Sequence, residues 1–204
     1  MQLEKSISLS NLIHRKDMSN ISQDIKKGKI LIAEPSILGD RSFNRSIILL
    51  TDHNEEGSVG FILNKPTEFV LKDLVFELDC DFRIYSGGPV ENDNLYFIHR
   101  LPQLIPESVA IADGLFWGGN YEAIKTYLEQ DLIKEDEIRF FLGYSGWTNE
   151  QLIAEIKERT WTLTENTFND IFKINNAEDW QEKLLKMGGK YRIWANSPED
   201  PSLN

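Results

Sequence analysis

The 204-residue chain has a single cysteine, Cys80, so it cannot form an intrachain disulfide. Disulfides belong to oxidising compartments, and a lone cysteine fits the reducing cytoplasm. No apolar run approaches the ~20 residues that span a bilayer. The N-terminal segment also lacks the apolar core of a secretory signal. We therefore expect a cytoplasmic protein with no membrane partner.

Basic residues are scarce as well. Lysine and arginine total 22 against 33 aspartates and glutamates, which gives a formal net charge of −11. Nucleic-acid binding is driven largely by cations that neutralise phosphates, so we expect no direct, tight binding to DNA. Residues 1–29 are the exception, with six basic and three acidic residues. The simplest interpretation of this segment is a solvated arm, and contact with a polyanion is the alternative.

Metal ligands and cofactor motifs are also missing. The three histidines, His14, His53 and His99, are about forty residues apart, and no cysteine pair supports them. Cys80 lies between two aspartates, which raise the pKa of a thiol and favour an inert side chain. The phosphate-binding pattern G-x-x-x-x-G-K-[ST] does not occur. The sequence predicts no metal and no cofactor.

Apolar runs and turn signals predict a fold rich in strands. The polar turn 53–57 joins two apolar runs as a hairpin, and Asp113-Gly114 is a typical two-residue turn for a second hairpin. Apolar spacing of three and four predicts helices over 71–78, from Tyr121, and from Ala177 to a stop at Gly188. A capping box over 148–151 starts a further helix.

Hairpins dominate this pattern, and strands and helices do not alternate regularly. We therefore predict the α+β class: one domain with a mixed, mostly antiparallel sheet, open or curled into a partial barrel, and helices packed outside it. The expected limits are a polar N-terminal arm over 1–27, the domain over 28–195, and a frayed tail over 196–204.

Two glycine-rich segments invite a catalytic interpretation. Gly143-Tyr-Ser-Gly-Trp147 is similar to the nucleophile elbow G-x-S-x-G, but the second glycine is replaced by Trp147 and no histidine follows Ser145. We predict a strand end and a glycine turn there, and no serine esterase activity. Gly87-Gly88-Pro89 is predicted to form a tight turn, with a backbone approach to a phosphate as the alternative.

Short motifs occur in a fixed order along most of the chain. They are Gly28–Pro35, Phe43–Ser46, Leu63–Pro66, Ser86–Val90, Tyr96–His99 and Gly143–Trp147. Together they resemble the AlgH/YqgE family of bacterial proteins. The resemblance implies a single cytosolic α/β domain, often labelled a transcriptional regulator, for which no reaction is established.

Two functions follow as hypotheses. The first is a protein that acts by binding a protein partner rather than by catalysis. The alternative is a small-anion or nucleotide-binding protein, or an enzyme, that uses the loops around Arg45, Lys65 and Gly87-Gly88. An exposed apolar patch would favour the first function, and a pocket where polar groups converge would favour the second.

The geometry of the predicted hairpin indicates which residues form the candidate site. If residue 46 pairs with 64 and residue 52 with 58, Arg45 and Lys65 flank the open end, far from His53. Two adjacent cations repel each other unless a carboxylate or a bound anion lies between them. The candidate binding residues are Arg45, Ser46, Asn64, Lys65, Ser86, Gly87 and Gly88.

Overall fold

The computed structural model describes residues 20–37, 40–167 and 171–196. The strands in these ranges are β1 Ile30–Ala33, β2 Ile47–Asn54, β3 Gly57–Ile62, β4 Pro66–Val70, β5 Arg83–Ser86, β6 Val90–His99, β7 Val109–Ala110, β8 Phe116–Trp117, β9 Ile138–Trp147 and β10 Trp161–Thr164. The α-helices are α1 Leu71–Leu74, α2 Tyr121–Glu129, α3 Asn149–Lys157, α4 Ala177–Met187 and α5 Tyr191–Ala195. Pro35–Ile37 and Ile171–Lys173 form 3₁₀ turns, and residues 20–24 are helical.

The strands form one branched sheet in the order β10-β1-β2-β3-β9-β6-β8-β7. The branch is at β9, because β5 pairs in parallel with its first half and β3 pairs antiparallel with its second half. β4 extends the branch beside β5, and every pair except β5–β9 is antiparallel. This confirms the α+β domain with a mixed, mostly antiparallel sheet, which is open and not closed into a barrel.

The continuous apolar run of β1 is buried on both faces of the sheet. Ile30 and Ile32 point into a cluster covered by α4 and residues 171–174, while Leu31 and Ala33 point into a cluster covered by α3. A third cluster lies between α2 and the β5–β9–β6 part of the sheet. Helices therefore cover the sheet on both sides, which is why its central strands lack polar alternation.

The predicted hairpin is present as β2 and β3, with one difference in register. Ile48 pairs with Ile62, which agrees with the predicted 46–64 pairing at the open end. Near the turn, Asp52 pairs with residue 59 rather than 58, because a bulge at Thr51 inserts one residue into β2. The second hairpin, β7–β8, turns at Asp113 as predicted, with positive φ there and at the following glycine.

Some local predictions are wrong. Residues 143–147 do not form a turn; they continue β9, because this part of the strand pairs with both β3 and β6. The helix expected over 71–78 ends at Leu74, since Val75 leaves helical backbone at φ −117° and ψ 80°. β4 and α5 were not predicted from the sequence.

The predicted domain limits at residues 28 and 195 stay a prediction. Residues 1–19 of the predicted arm and 197–204 of the predicted tail lie outside the described ranges. Among the helices of those ranges, none has the length and apolar character required to cross a bilayer.

Candidate functional site

The predicted binding residues meet at the open end of the β2–β3 hairpin. Asn64 is buried, and its side-chain oxygen accepts a hydrogen bond from the amide of Ile47 at 2.8 Å. Its side-chain nitrogen donates to the carbonyls of Arg45 at 2.8 Å and Asn176 at 3.2 Å. Ser46, next to Arg45, is completely buried. Asn64 therefore ties three chain segments together, and Arg45 lies beside it as the hairpin predicts.

The two cations of this cluster contact other parts of the protein. Arg45 has positive φ, 54°, and its guanidinium lies over the ring of Trp180, 5.4 Å from the centroid. The Nζ atom of Lys65 donates to the carbonyls of Arg41 at 3.0 Å and Ser42 at 2.7 Å. One cation thus contacts α4, and the other holds the loop that precedes β2.

Ser86, Gly87 and Gly88 complete the cluster through their backbone. The amide of Ser86 donates to the carbonyl of Lys65, and the amide of Gly87 donates to the carbonyl of Leu142, both at 2.8 Å. A Cβ at Gly88 would lie 2.3 Å from the β9 backbone. The Gly87 amide is therefore already bonded within the fold, and Gly88 allows the close approach to β9.

The structure thus brings all seven predicted residues into one chain of contacts. Several of their polar groups hold backbone carbonyls rather than facing a cavity. Their assignment as ligand-binding residues stays a prediction.

Ser145 lies inside β9 and not on a catalytic turn. It is completely buried, and its hydroxyl donates to the carbonyl of Gly87 at 3.1 Å. His53 is in the hairpin, where its Nδ1 atom lies 2.8 Å from the hydroxyl of Ser58. Partial burial lowers the pKa of His53, and the charge of Asp52 opposes this. Ser145 and His53 therefore have separate hydrogen-bond partners.

His99 is a buried structural residue at the end of β6. Its Nδ1 atom accepts from the amide of Leu101 at 3.0 Å, so Nε2 carries the proton and donates to the carbonyl of Gly118 at 3.2 Å. Burial lowers the pKa of His99, and burial also raises the pKa of the Cys80 thiol. Over the described ranges, no three His, Cys, Asp or Glu side chains are grouped as a metal site requires.

Arg139 is a buried cation that no motif in the sequence marked as a candidate. It interrupts the apolar start of β9, and only 5% of it is exposed. Its guanidinium donates to the carbonyls of Leu63 at 2.9 Å, Ile174 at 2.6 Å and Phe172. It also lies over the ring of Tyr85, 4.1 Å from the centroid. Arg139 therefore fastens residues 172–174 to the sheet, beside a cavity of about 450 Å³.

Three exposed apolar side chains occur between Phe69, near the end of β4, and Phe76, which follows α1. Phe69 is 39% exposed, Leu74 36% and Phe76 89%, and we call these three residues the 69–76 surface. Residues 68–81 contain five acidic residues and one basic residue, Lys72, which pairs with Asp81 at 2.5 Å. The apolar spacing over 71–78 predicts that Leu74 lies on the buried face of a helix. The early end of α1 leaves it partly exposed.

Comparison with known proteins agrees with the ordered motifs. A model of the AlgH-like family DUF179 matches residues 30–192. A UPF0301 protein of Cytophaga hutchinsonii is 42% identical over 182 residues, covering 88% of this chain and 100% of the relative. A UPF0301 protein of Bacteroides fragilis is 44% identical over 180 residues, covering 87% of this chain and 91% of the relative.

Two solved structures are similar in fold. The AlgH protein of Pseudomonas aeruginosa has a TM-score of 0.66 at 20% identity, covering 97% of this chain and 98% of its own. Protein DIP2367 of Corynebacterium diphtheriae has a TM-score of 0.64 at 19% identity, covering 85% and 93%. The family-model match and the two UPF0301 relatives show that the chain belongs to the AlgH-like family.

Proposed function

We propose that this protein acts by binding a protein partner, and that the 69–76 surface is the centre of the interface. Phe76 is the observation that supports this function, because 89% of it faces solvent. Covering a phenylalanine removes about 150–250 Å² from water. At ~25 cal/mol per Å², this burial contributes roughly 4 kcal/mol before the entropic cost of association.

The charges around this surface indicate the chemistry of the partner. The five acidic residues of 68–81 are Glu68, Asp73, Glu77, Asp79 and Asp81. Asp81 pairs with Lys72 and Glu77 pairs with Lys125, and the segment still keeps a net negative charge. A net negative charge near exposed apolar side chains attracts a basic segment that also carries an apolar anchor. An effect on transcription would then pass through this partner and not through direct DNA contact, in keeping with the net charge of −11.

The anion-binding alternative has less support at the predicted loops. Lys65 already donates to two carbonyls, and the Gly87 amide already donates to Leu142. A phosphate at this place would have to compete with hydrogen bonds that hold the fold.

Site-specific photocrosslinking tests the proposal. A benzoylphenylalanine replaces Phe76 in one variant and Ile193 in a matched control, since Ile193 is 73% exposed on α5. When the purified variants are added to a lysate of the source bacterium, we expect a defined protein adduct from position 76 and none from position 193. The crosslinked peptide should be rich in lysine or arginine, and its yield should fall as salt is raised.

A competition experiment tests whether the Phe76 side chain contributes to partner binding. Unlabelled wild-type protein should suppress the adduct, while Phe76→Ser should compete at least about thirtyfold less well, as for a central interface residue. Equal competition by Phe76→Ser, or equal adducts at both positions, would refute the proposal.

A further inference from the structure

A second cavity, of about 390 Å³, lies beside β10 at the edge of the sheet. The helical segment 20–24, α3 and the residues that flank β1 contribute to its lining, and the 69–76 surface does not. Its volume is within the range of small-molecule sites.

The lining of the cavity contains a carboxylate that the fold buries. Glu34 is only 7% exposed, and its Oε1 atom accepts a hydrogen bond from the hydroxyl of Thr162 at 2.6 Å. Both residues line the cavity. Over the described ranges, no lysine or arginine forms an ion pair with Glu34. A carboxylate can accept about four hydrogen bonds, and removing it from water costs free energy unless donors or cations compensate it. Glu34 therefore has acceptor capacity for a donor in the cavity.

The other charges around the cavity favour a cation. Asp24 is exposed and adds a second carboxylate to the lining. Lys29 is the basic residue of the lining, and its Nζ atom already pairs with the carboxylate of Glu165. One ammonium therefore accompanies three carboxylates, so the local charge is negative and attracts a cationic ligand.

The rest of the lining is apolar. Trp161 is 2% exposed, and Ile156 and Leu163 pack against the same core cluster. We propose that this cavity binds a small primary amine, namely an ammonium on a short apolar chain. The ammonium donates hydrogen bonds to Glu34 and lies near Asp24, and the chain lies against Ile156 and Leu163.

Three probes separate the parts of this proposal. Pentylamine, which is protonated at neutral pH, has the charge, the N–H donors and the chain. Pentanol has the chain without the charge, and pentyltrimethylammonium has the chain and the charge without an N–H donor. In calorimetric titrations of the full chain at neutral pH, we expect pentylamine to bind at one site. It should bind at least about tenfold tighter than either of the other probes, in line with a charge-assisted hydrogen bond.

Two variants test whether the buried carboxylate holds the amine. Glu34→Gln keeps the size of the side chain and removes its charge, and it should weaken pentylamine binding at least about tenfold. The matched control is Glu150→Gln, which makes the same change in net charge at an exposed position of α3 outside the lining. It should change the affinity by less than about twofold.

Several results would overturn the proposal. Equal binding of pentylamine and pentanol would show apolar adsorption only, and equal binding of pentyltrimethylammonium would show attraction of any cation. Absent binding, or undiminished binding to Glu34→Gln, would remove the buried carboxylate from the site. If Glu34→Gln fails to fold, Asp24→Asn takes its place, because it keeps the buried carboxylate and removes the exposed one. Its affinity for pentylamine should fall about threefold, and an unchanged affinity refutes the site.

Discussion

Replacing Arg139 by methionine tests whether one buried guanidinium holds residues 172–174 on the sheet. The substitution keeps much of the side-chain volume and removes the donors to the carbonyls of Leu63, Phe172 and Ile174. Each buried acceptor left without a partner costs about 1–3 kcal/mol. Part of this is offset because the guanidinium no longer has to be desolvated. We expect a net loss of roughly 3 kcal/mol in the free energy of unfolding.

Urea denaturation followed by tryptophan fluorescence measures this loss. With an m-value of about 2–3 kcal/mol/M, the midpoint should fall by about 1 M or more. Arg83→Met is the matched control, because Arg83 lines the same cavity but is exposed. It should change the free energy by less than about 0.5 kcal/mol. Hydrogen exchange should also accelerate at residues 172–176 before it does in β1.

Two outcomes would refute this reasoning. If Arg139→Met is as stable as the control variant, the three hydrogen bonds do not hold the segment. If Arg139→Lys restores full stability, a single charge is sufficient, and the planar fork that reaches several carbonyls at once is not required.

Further predictions concern packing, exposure and charge. In thermal unfolding, Gly88→Ala should lower the free energy of unfolding by roughly 3 kcal/mol, because the added Cβ would meet the β9 backbone. Gly114→Ala should lower it by only about 1 kcal/mol, because the space at its Cβ is open. Phe76→Ser should change the free energy of unfolding by less than about 0.5 kcal/mol, and a larger loss would mean that Phe76 packs in the fold. Alkylation of Cys80 should be at least about tenfold slower in the native than in the unfolded protein, since burial raises its pKa; equal rates would contradict this. Burial lowers the pKa of Lys183 in the folded state, so the unfolded state binds the proton of this lysine more tightly. The free energy of unfolding of the wild type, relative to that of Lys183→Met, should therefore rise as the pH increases from the folded-state pKa to the unfolded-state pKa. A pH-independent difference in urea midpoint between the two proteins would refute this assignment.

Local chemistry was enough to predict several elements from the sequence. The turns at 53–57 and at Asp113 are each specified by a few neighbouring residues, and both hairpins form where expected. Thr148 caps α3, and its hydroxyl accepts from the amide of Gln151 at 3.2 Å. The reciprocal half of the predicted capping box is wrong, because the Gln151 side chain bonds to Glu155 instead of reaching back to residue 148.

Only the part of the candidate site that depends on the geometry of the hairpin could be predicted from the sequence. Strand pairing alone places Arg45 next to Asn64, and the structure confirms this contact. The contacts of the Arg45 and Lys65 side chains depend on segments that are distant in the sequence. Trp180 comes from α4, and the acceptors of Lys65 come from a loop more than twenty residues earlier.

Burial was decided by the tertiary structure. The sequence shows Arg139 as an ordinary member of a strand, and Lys183 and Phe76 as ordinary members of predicted helices. Packing places both cations inside the protein and leaves the phenylalanine in solvent. Turn chemistry and periodicity act between near neighbours, so a sequence displays them directly. The exposure of a side chain depends on which distant element covers it, and this is set only when the whole sheet and its helices have assembled.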